Sequence, residues 1–378
     1  MDFAFSAEQE MLRDTARRFL VDKAPSQTVR RLMETDAGFD PALWNAAADM
    51  GWQAMAIPEA YGGAGFSCLE LGLLMEEMGR ALFPAPFLSS IVLGADLVLT
   101  AGSEEQKQEI LPAVAAGERR LALAQLEEDG QWDAAGIAMP AVRKGSDYVL
   151  SGTKAFVLDG HTADTLIVAV REPGTSGPAG VTLLAVNGAA PGISRRRVET
   201  MDMTRKQARI DFDGVLVPAA AVLGEAGAGW PALEETLRRA VVALAFEQVG
   251  GAQKCLEMST EYAKVRIQFG RPIGSFQAVK HKCDDMLVKT ESAKSAAYYA
   301  GWAASSDPEE LKIVAPLAKS YCSEAYFWCA AENIQVHGGI GFTWEHDAHL
   351  YFKRAKTDEL LFGTPAYHRA LLADAIGI

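Results

Sequence analysis

The chain has 378 residues, of which 49% are hydrophobic and 22% charged, with a formal net charge of −13. That length exceeds one ordinary hydrophobic core, so two or three domains are expected. The acidic balance argues against nucleic acid or an anionic membrane as the main partner, although a local basic pocket can still hold an anionic ligand. The five cysteines include no CxxC pair, which reads as reduced thiols in a cytoplasmic protein and not as a disulfide frame or zinc site. The start lacks a basic segment followed by an apolar one, and no apolar run nears the roughly 20 residues of a bilayer span, so neither export nor membrane insertion is expected.

From Ser6 to Gly117 the apolar spacing is helical. Ser6 is placed to cap a first helix through SAEQEMLRDTARRFL. The loop PEAYGGAGFS, 58–67, precedes a helix over 69–82, and PAPF breaks that helix. Between Leu121 and Leu223 the period shortens. LALAQL, DYVLSGTKAFVLDG, DTLIVAVRE, GVTLLAVNG and ARIDFDGVLVP predict antiparallel strands and hairpins. From Gly229 the helical period returns, with segments near 229–268, 275–304, 308–337 and 347–361 and a short tail helix. Helices, strands, then helices predict an α+β chain: a helical domain over 1–120, an antiparallel β domain over 121–225 and a helical bundle over 226–378.

Two stretches carry chemistry. In VRIQFGRPIGSFQAVKHK, 265–282, a helix is expected to end at Gly270. The loop gathers Arg266, Gln268, Phe269 and Arg271, guanidinium groups for an anion and a ring for a flat ligand. In ENIQVHGGIGFTWEHD, 332–347, Gly338, Gly339 and Gly341 let backbone N–H groups approach a ligand. This turn follows a helix, so it is no Rossmann fingerprint. His346 and His349 lack the further ligands a metal needs, and no metal site is expected.

With PEAYGGAGFS, EEMGRALFPAPF and GTKAFVLDG, these stretches resemble the acyl-CoA dehydrogenase family over nearly the whole chain, in matching order and spacing. The resemblance implies FAD, α,β-dehydrogenation of an acyl-CoA thioester, a four-helix C-terminal domain and an electron-transfer flavoprotein or similar acceptor. It further implies that Arg266, Gln268, Phe269 and Gln277 meet the pyrophosphate and adenine side of a neighbouring subunit's FAD. Gln335 to Gly339, including Gly338, would meet FAD across a dimer interface, and Thr364 would lie beside the adenosine part. A homotetramer, or a heterotetramer with a related chain, follows from such shared sites.

The chain departs from the family pattern at the catalytic base. The Tyr-Glu-Gly-Thr segment of most members is here LLFGT, with Phe362 at the Glu position. The alternative position used by a smaller branch falls on Ala240. Seven residues on, AVVALAFEQVGGAQ places Glu247 among apolar residues and glycine, about 20° round the same helix face and roughly 10 Å along it. Glu247 is therefore the expected α-proton base. The opposing view is a structural acid, paired with a cation such as Arg238, Arg239 or Lys254 or capping a neighbouring helix. Asp358 and Glu359 are weaker candidates that read as helix surface. The family's flavin-contacting Trp-Ile-Thr is here Phe156, Val157 and Leu158, of which Phe156 and Leu158 are the expected flavin contacts through their backbone. The usual CoA-binding arginine is Val241, with Arg238 or Arg239 as possible substitutes. A non-catalytic partner subunit, or a flavin oxidase or monooxygenase on the same fold, are the alternative functions.

Overall fold

The computed structural model describes residues 5–378. Helices α1 (Ala7–Lys23), α2 (Ser26–Met33), α3 (Pro41–Asp49), α4 (Cys68–Ala81), α5 (Asp96–Ala101) and α6 (Glu104–Ala115) come first. Strands β1 (Leu121–Ala124), β2 (Ala141–Lys144), β3 (Asp147–Leu158), β4 (Thr165–Arg171), β5 (Val181–Asn187), β6 (Ile193–Val198), β7 (Gln207–Val217) and β8 (Val222–Leu223) follow. Next come α7 (Trp230–Val265), a hairpin of β9 (Ile267–Gln268) and β10 (Arg271–Pro272), then α8 (Gln277–Ser306), α9 (Pro308–His337), α10 (Ala348–Leu360) and α11 (Pro365–Ala375). The α+β order expected from the sequence is the order found.

Two compact units divide the chain: one holds the residues up to Arg31 with 67–83 and 241–378, the other 32–66 and 84–240. The second unit contains two four-stranded sheets, β1-β4-β5-β8 and β2-β3-β7-β6. Alternate residues of both sheets, Leu166, Val168 and Val170 from one and Ala208, Ile210 and Phe212 from the other, meet in one buried core. One strand departs from the antiparallel expectation: β1 pairs with β4 in parallel, Leu121 opposite Thr165. The intervening β2 and β3 belong to the other sheet, so the chain returns as a crossover and not as a hairpin.

In the first unit, small residues set how closely helices approach. A Cβ on Gly250 of α7 would meet the Glu76 carbonyl oxygen of α4 at 1.8 Å, and one on Gly79 of α4 would meet the Glu247 carbonyl oxygen at 2.1 Å. The ring of Phe246 fills the space left by Gly72 of α4 and Gly301 of α8. Ser6 caps α1 as expected, its hydroxyl accepting from Gln9 N–H while the Gln9 side chain accepts from Ser6 N–H. Helix α7 stops at Val265, five residues before the expected Gly270. Residues 266–273 turn back on themselves there, with Ile273 N–H donating to the Arg266 carbonyl at 2.8 Å.

Candidate active site

Glu247 lies in α7 and is 2% exposed. Its Oε1 accepts from Nη1 of Arg354 on α10 at 2.7 Å, in a pair whose side chains are almost wholly buried. Each charge alone would be costly to bury, and each is tolerable because the other faces it. The local cations named as possible partners do other things. Arg238 pairs with Glu234 at 3.3 Å. Arg239 is held by both oxygens of Asp96 at 2.8 Å and donates to Thr100 at 2.6 Å. Lys254 lines a cleft with Arg17, Arg80 and Tyr351. Pairing with a cation is found, but the cation is Arg354, 107 residues away in FKRAK and on another helix, and not one of the three nearer examples. The engaged Arg239 also leaves Arg238 as the freer of the two candidate CoA arginines.

Phe362 follows α10 in a left-handed conformation, φ 60°, and is 4% exposed. Gly363 continues the turn at φ 105°, where a Cβ would meet the Tyr367 ring at 2.3 Å. Thr364 then caps α11, its hydroxyl accepting from Tyr367 N–H. Asp358 is fully buried, contrary to its reading as helix surface, because it lies on the α10 face shared by Arg354 and Ala355. Glu359 pairs with Lys356 at 3.0 Å.

In the second unit, β3 carries an extra residue against β7. Lys154 pairs with Ile210 and Val157 with Ala208, so three steps on one strand match two on the other. Phe156 sits at this bulge with φ 51° and is 43% exposed, whereas Val157 and Leu158 are buried. The bulge takes backbone out of the ladder and turns it toward other partners, and Ala155 N–H donates to the Leu126 carbonyl at 2.8 Å. Buried Lys154 braces the neighbouring segment by donating to the Gln125 carbonyl at 3.1 Å and to Glu127 at 2.7 Å. Gln125 gives its amide N–H to the Trp132 carbonyl, while its buried Oε1 has no donor among the described residues. A buried carbonyl in that state has room for a donor from water or from a bound group.

The two glycine- and arginine-bearing motifs come to one end of the helical bundle. Ser259 of α7 donates to Asn333 of α9 at 3.0 Å, and Tyr262 stacks on His337 with ring centroids 4.4 Å apart. The hairpin carrying Arg266, Gln268 and Phe269 leaves the first helix, and the Gly338–Gly339 turn leaves the second. Phe269 is 91% exposed at φ 52°, and Arg266, Gln268, Gln277, Gln335, Gly338 and Gly339 are exposed with it. A Cβ at Gly338 or Gly339 would meet nothing within 4 Å, so this backbone faces open space. Guanidinium, amide and bare backbone with exposed rings are the donor set of a dinucleotide's phosphate and adenine end, and they fit FAD.

The order of helical, β and helical parts, with this exposed donor set at one end of the bundle, is that of a flavin-type dehydrogenase fold. Family models for the acyl-CoA dehydrogenase N-terminal, middle and C-terminal domains match residues 6–118, 122–215 and 227–377. The acyl-CoA dehydrogenase IpdE2 of Mycobacterium tuberculosis is 34% identical over 361 residues, covering 95% of this chain and 94% of that protein. Among solved structures, one described as an electron transferring flavoprotein of Acidaminococcus fermentans superposes with a TM-score of 0.93 at 29% identity, covering 100% of this chain and 99% of that one. Another, described as the Tcur3481-Tcur3483 steroid ACAD G363A variant, superposes with a TM-score of 0.87 at 33% identity over 98% of both chains. The chain belongs to the acyl-CoA dehydrogenase family.

Proposed function

We propose that this protein uses FAD to dehydrogenate an acyl-CoA thioester between its α and β carbons, with Glu247 as the acceptor of the α-proton. The observation carrying the reaction is the family match across all three domains, residues 6 to 377. Bound FAD supplies the acceptor for the hydride that leaves the β-carbon. The chain's own residues hold the cofactor and move the proton. Arg266 and Gln268 meet phosphate, Gly338 and Gly339 give it backbone N–H groups, Phe269 covers a flat ring, and the bulge at Phe156 to Leu158 offers backbone to the flavin. Gln277, Gln335 and Thr364 complete the nucleotide contacts.

Phe362 cannot take a proton, so the base must stand elsewhere. Glu247 is the carboxylate in the apolar part of α7, and a positioned carboxylate is the ordinary group for this transfer. The proton comes off the α-carbon as the hydride leaves, and it lands on the Glu247 carboxylate. That step leaves Arg354 facing a neutral acid, whose carbonyl oxygen can still accept the guanidinium N–H. The experiment is anaerobic mixing of the flavoprotein with acyl-CoA esters of increasing bulk. Loss of the oxidised flavin band with one or more esters supports the reaction, and no bleaching with any ester in any assembly sinks it.

A second reading has its own observation. With Phe362 at the usual base position and Glu247 tied to buried Arg354, the chain would serve as the non-catalytic member of a mixed tetramer. The relative described by two paired designations, Tcur3481-Tcur3483, supports considering such an assembly. In either case we propose a tetramer and an electron-transfer flavoprotein as acceptor, the latter supported by the description of the Acidaminococcus structure. The free cysteines support a reducing, cytoplasmic setting.

A further inference from the structure

We propose that Lys319 and His368 are positioning residues that hold the Leu360–Thr364 turn, and with it Phe362, in the shape the dehydrogenation requires. This rests on the reading of that turn as part of the acyl-CoA dehydrogenase site.

Lys319 of α9 is fully buried, and its ammonium donates to three oxygens: Ser323 Oγ at 2.9 Å, the Asp358 carbonyl at 2.8 Å and the Glu359 carbonyl at 3.1 Å. While Lys319 is protonated, three donors meet three acceptors. Two of those acceptors are carbonyls in the last turn of α10, where a helix runs out of its own N–H donors. A cation there also answers the negative end of the helix dipole. Lys319 therefore fixes where α10 stops.

His368 of α11 acts at Phe362, three residues beyond Glu359. Its Nε2 lies 2.8 Å from the Phe362 carbonyl, and because a carbonyl only accepts, Nε2 carries the proton. Burial, reinforced by nearby Lys319, pushes His368 down to about 4, which keeps it the neutral donor this bond needs. Phe362 stands in a left-handed conformation that bulky residues avoid. Such a conformation persists only where its surroundings impose it. The Lys319 cap on one side, the His368 bond on the carbonyl and the Thr364 cap on the other side are those surroundings. Neither buried side chain, Lys319 or His368, is needed merely to fill the core, since an apolar residue would do that at no electrostatic cost.

The test compares His368→Leu, which removes the donor, with His368→Gln, which restores an N–H to the same carbonyl. In the FAD-loaded protein, hydrogen exchange of the peptide spanning 360–364 is read alongside the rate of flavin reduction by acyl-CoA. His368→Leu is expected to speed local exchange about tenfold, the scale of one hydrogen bond of ordinary net strength, and to slow flavin reduction without raising the KM for acyl-CoA. His368→Gln should restore both. Lys319→Met, if it folds, should loosen 358–361 in the same way. Unchanged exchange in His368→Leu, or a Gln variant as impaired as the Leu one, overturns the positioning role. Faster exchange with undiminished flavin reduction also overturns it, and separately shows that the turn lies outside the reacting site. If no ester reduces the wild-type flavin, the dehydrogenase reading has failed by itself, and exchange still reports on the turn.

Discussion

Glu247 and Arg354, from helices α7 and α10, form an ion pair 2.7 Å long in the interior of the helical unit. Gly79 of α4 permits it, since any side chain there would strike the Glu247 backbone and Cγ. One carboxylate is thus tied to stability and, on our reading, to catalysis, and substitution can separate these roles.

Glu247→Gln keeps size and one hydrogen-bonding oxygen but cannot take the α-proton. Flavin reduction by acyl-CoA should fall about 10²-fold or more, the scale of general-base loss, with FAD content unchanged. Stopped-flow absorbance checks this. Reduction at the wild-type rate would make Glu247 structural. Arg354→Met provides the control: it removes the cation facing the buried carboxylate and should destabilise the protein by about 3–5 kcal/mol, read as a lowered thermal midpoint.

Arg266→Ala should weaken FAD retention by removing a charge-assisted contact to phosphate. Gly339→Ala should do the same for a different reason. Its Cβ meets nothing in the protein, so the apoprotein's thermal midpoint should be unchanged while the backbone loses its close approach to the cofactor. Flavin released on gel filtration reports both. Normal retention in Gly339→Ala would remove that turn from the cofactor site.

Gly250→Ala should behave oppositely, lowering stability whether or not FAD is present. Alanine gains about 1 kcal/mol of helix propensity over glycine. The new Cβ, however, would lie 1.8 Å from the Glu76 carbonyl, a backbone atom that cannot swing away. Overpacking costs about 1–3 kcal/mol and occasionally more, and a clash with a fixed backbone oxygen puts this case at the upper end, so it wins. Calorimetry of the variant should show a clear loss, and an unchanged midpoint would mean the two helices separate easily.

Lys319 gives a pH dependence. Burial brings it down to about 7 from an ordinary 10.5, with Asp358, Glu359 and Cys322 pulling upward. Between those values the unfolded chain holds a proton that the folded chain has released. Stability should therefore rise with pH through that window and be flat in this respect below about 7. Lys319→Met should remove the rise, measured as denaturation midpoints across the window. Neutral His368 acts at lower pH: with a folded value of about 4 against 6.5, its contribution is lost as pH falls from 6.5 toward 4.

Light scattering with FAD counted per chain tests assembly. One FAD per chain in a homotetramer fits the self-sufficient enzyme. Half occupancy with a co-purifying homologue fits the mixed tetramer. A stable monomer with tightly held FAD would refute the shared site.

Several features were legible in the residues alone because they are local. Ser6 announces a capped helix, the apolar period marks α7 to α10, and the RIQFG and QVHGGIG segments carry a family pattern in short, contiguous words. The exchange of Glu for Phe362 was visible for the same reason. The tertiary structure decided what depends on residues far apart. It chose Arg354 over three nearer cations as the partner of Glu247 and buried Asp358 on an apparently polar helix. It ran β1 parallel to β4, ended α7 at a hairpin five residues early, and brought Lys319 and His368 to the two ends of one turn. A helix period tells which face of a segment is apolar, but a buried charge is tolerated only where another element supplies its counterpart, and that meeting is fixed by how the helices pack.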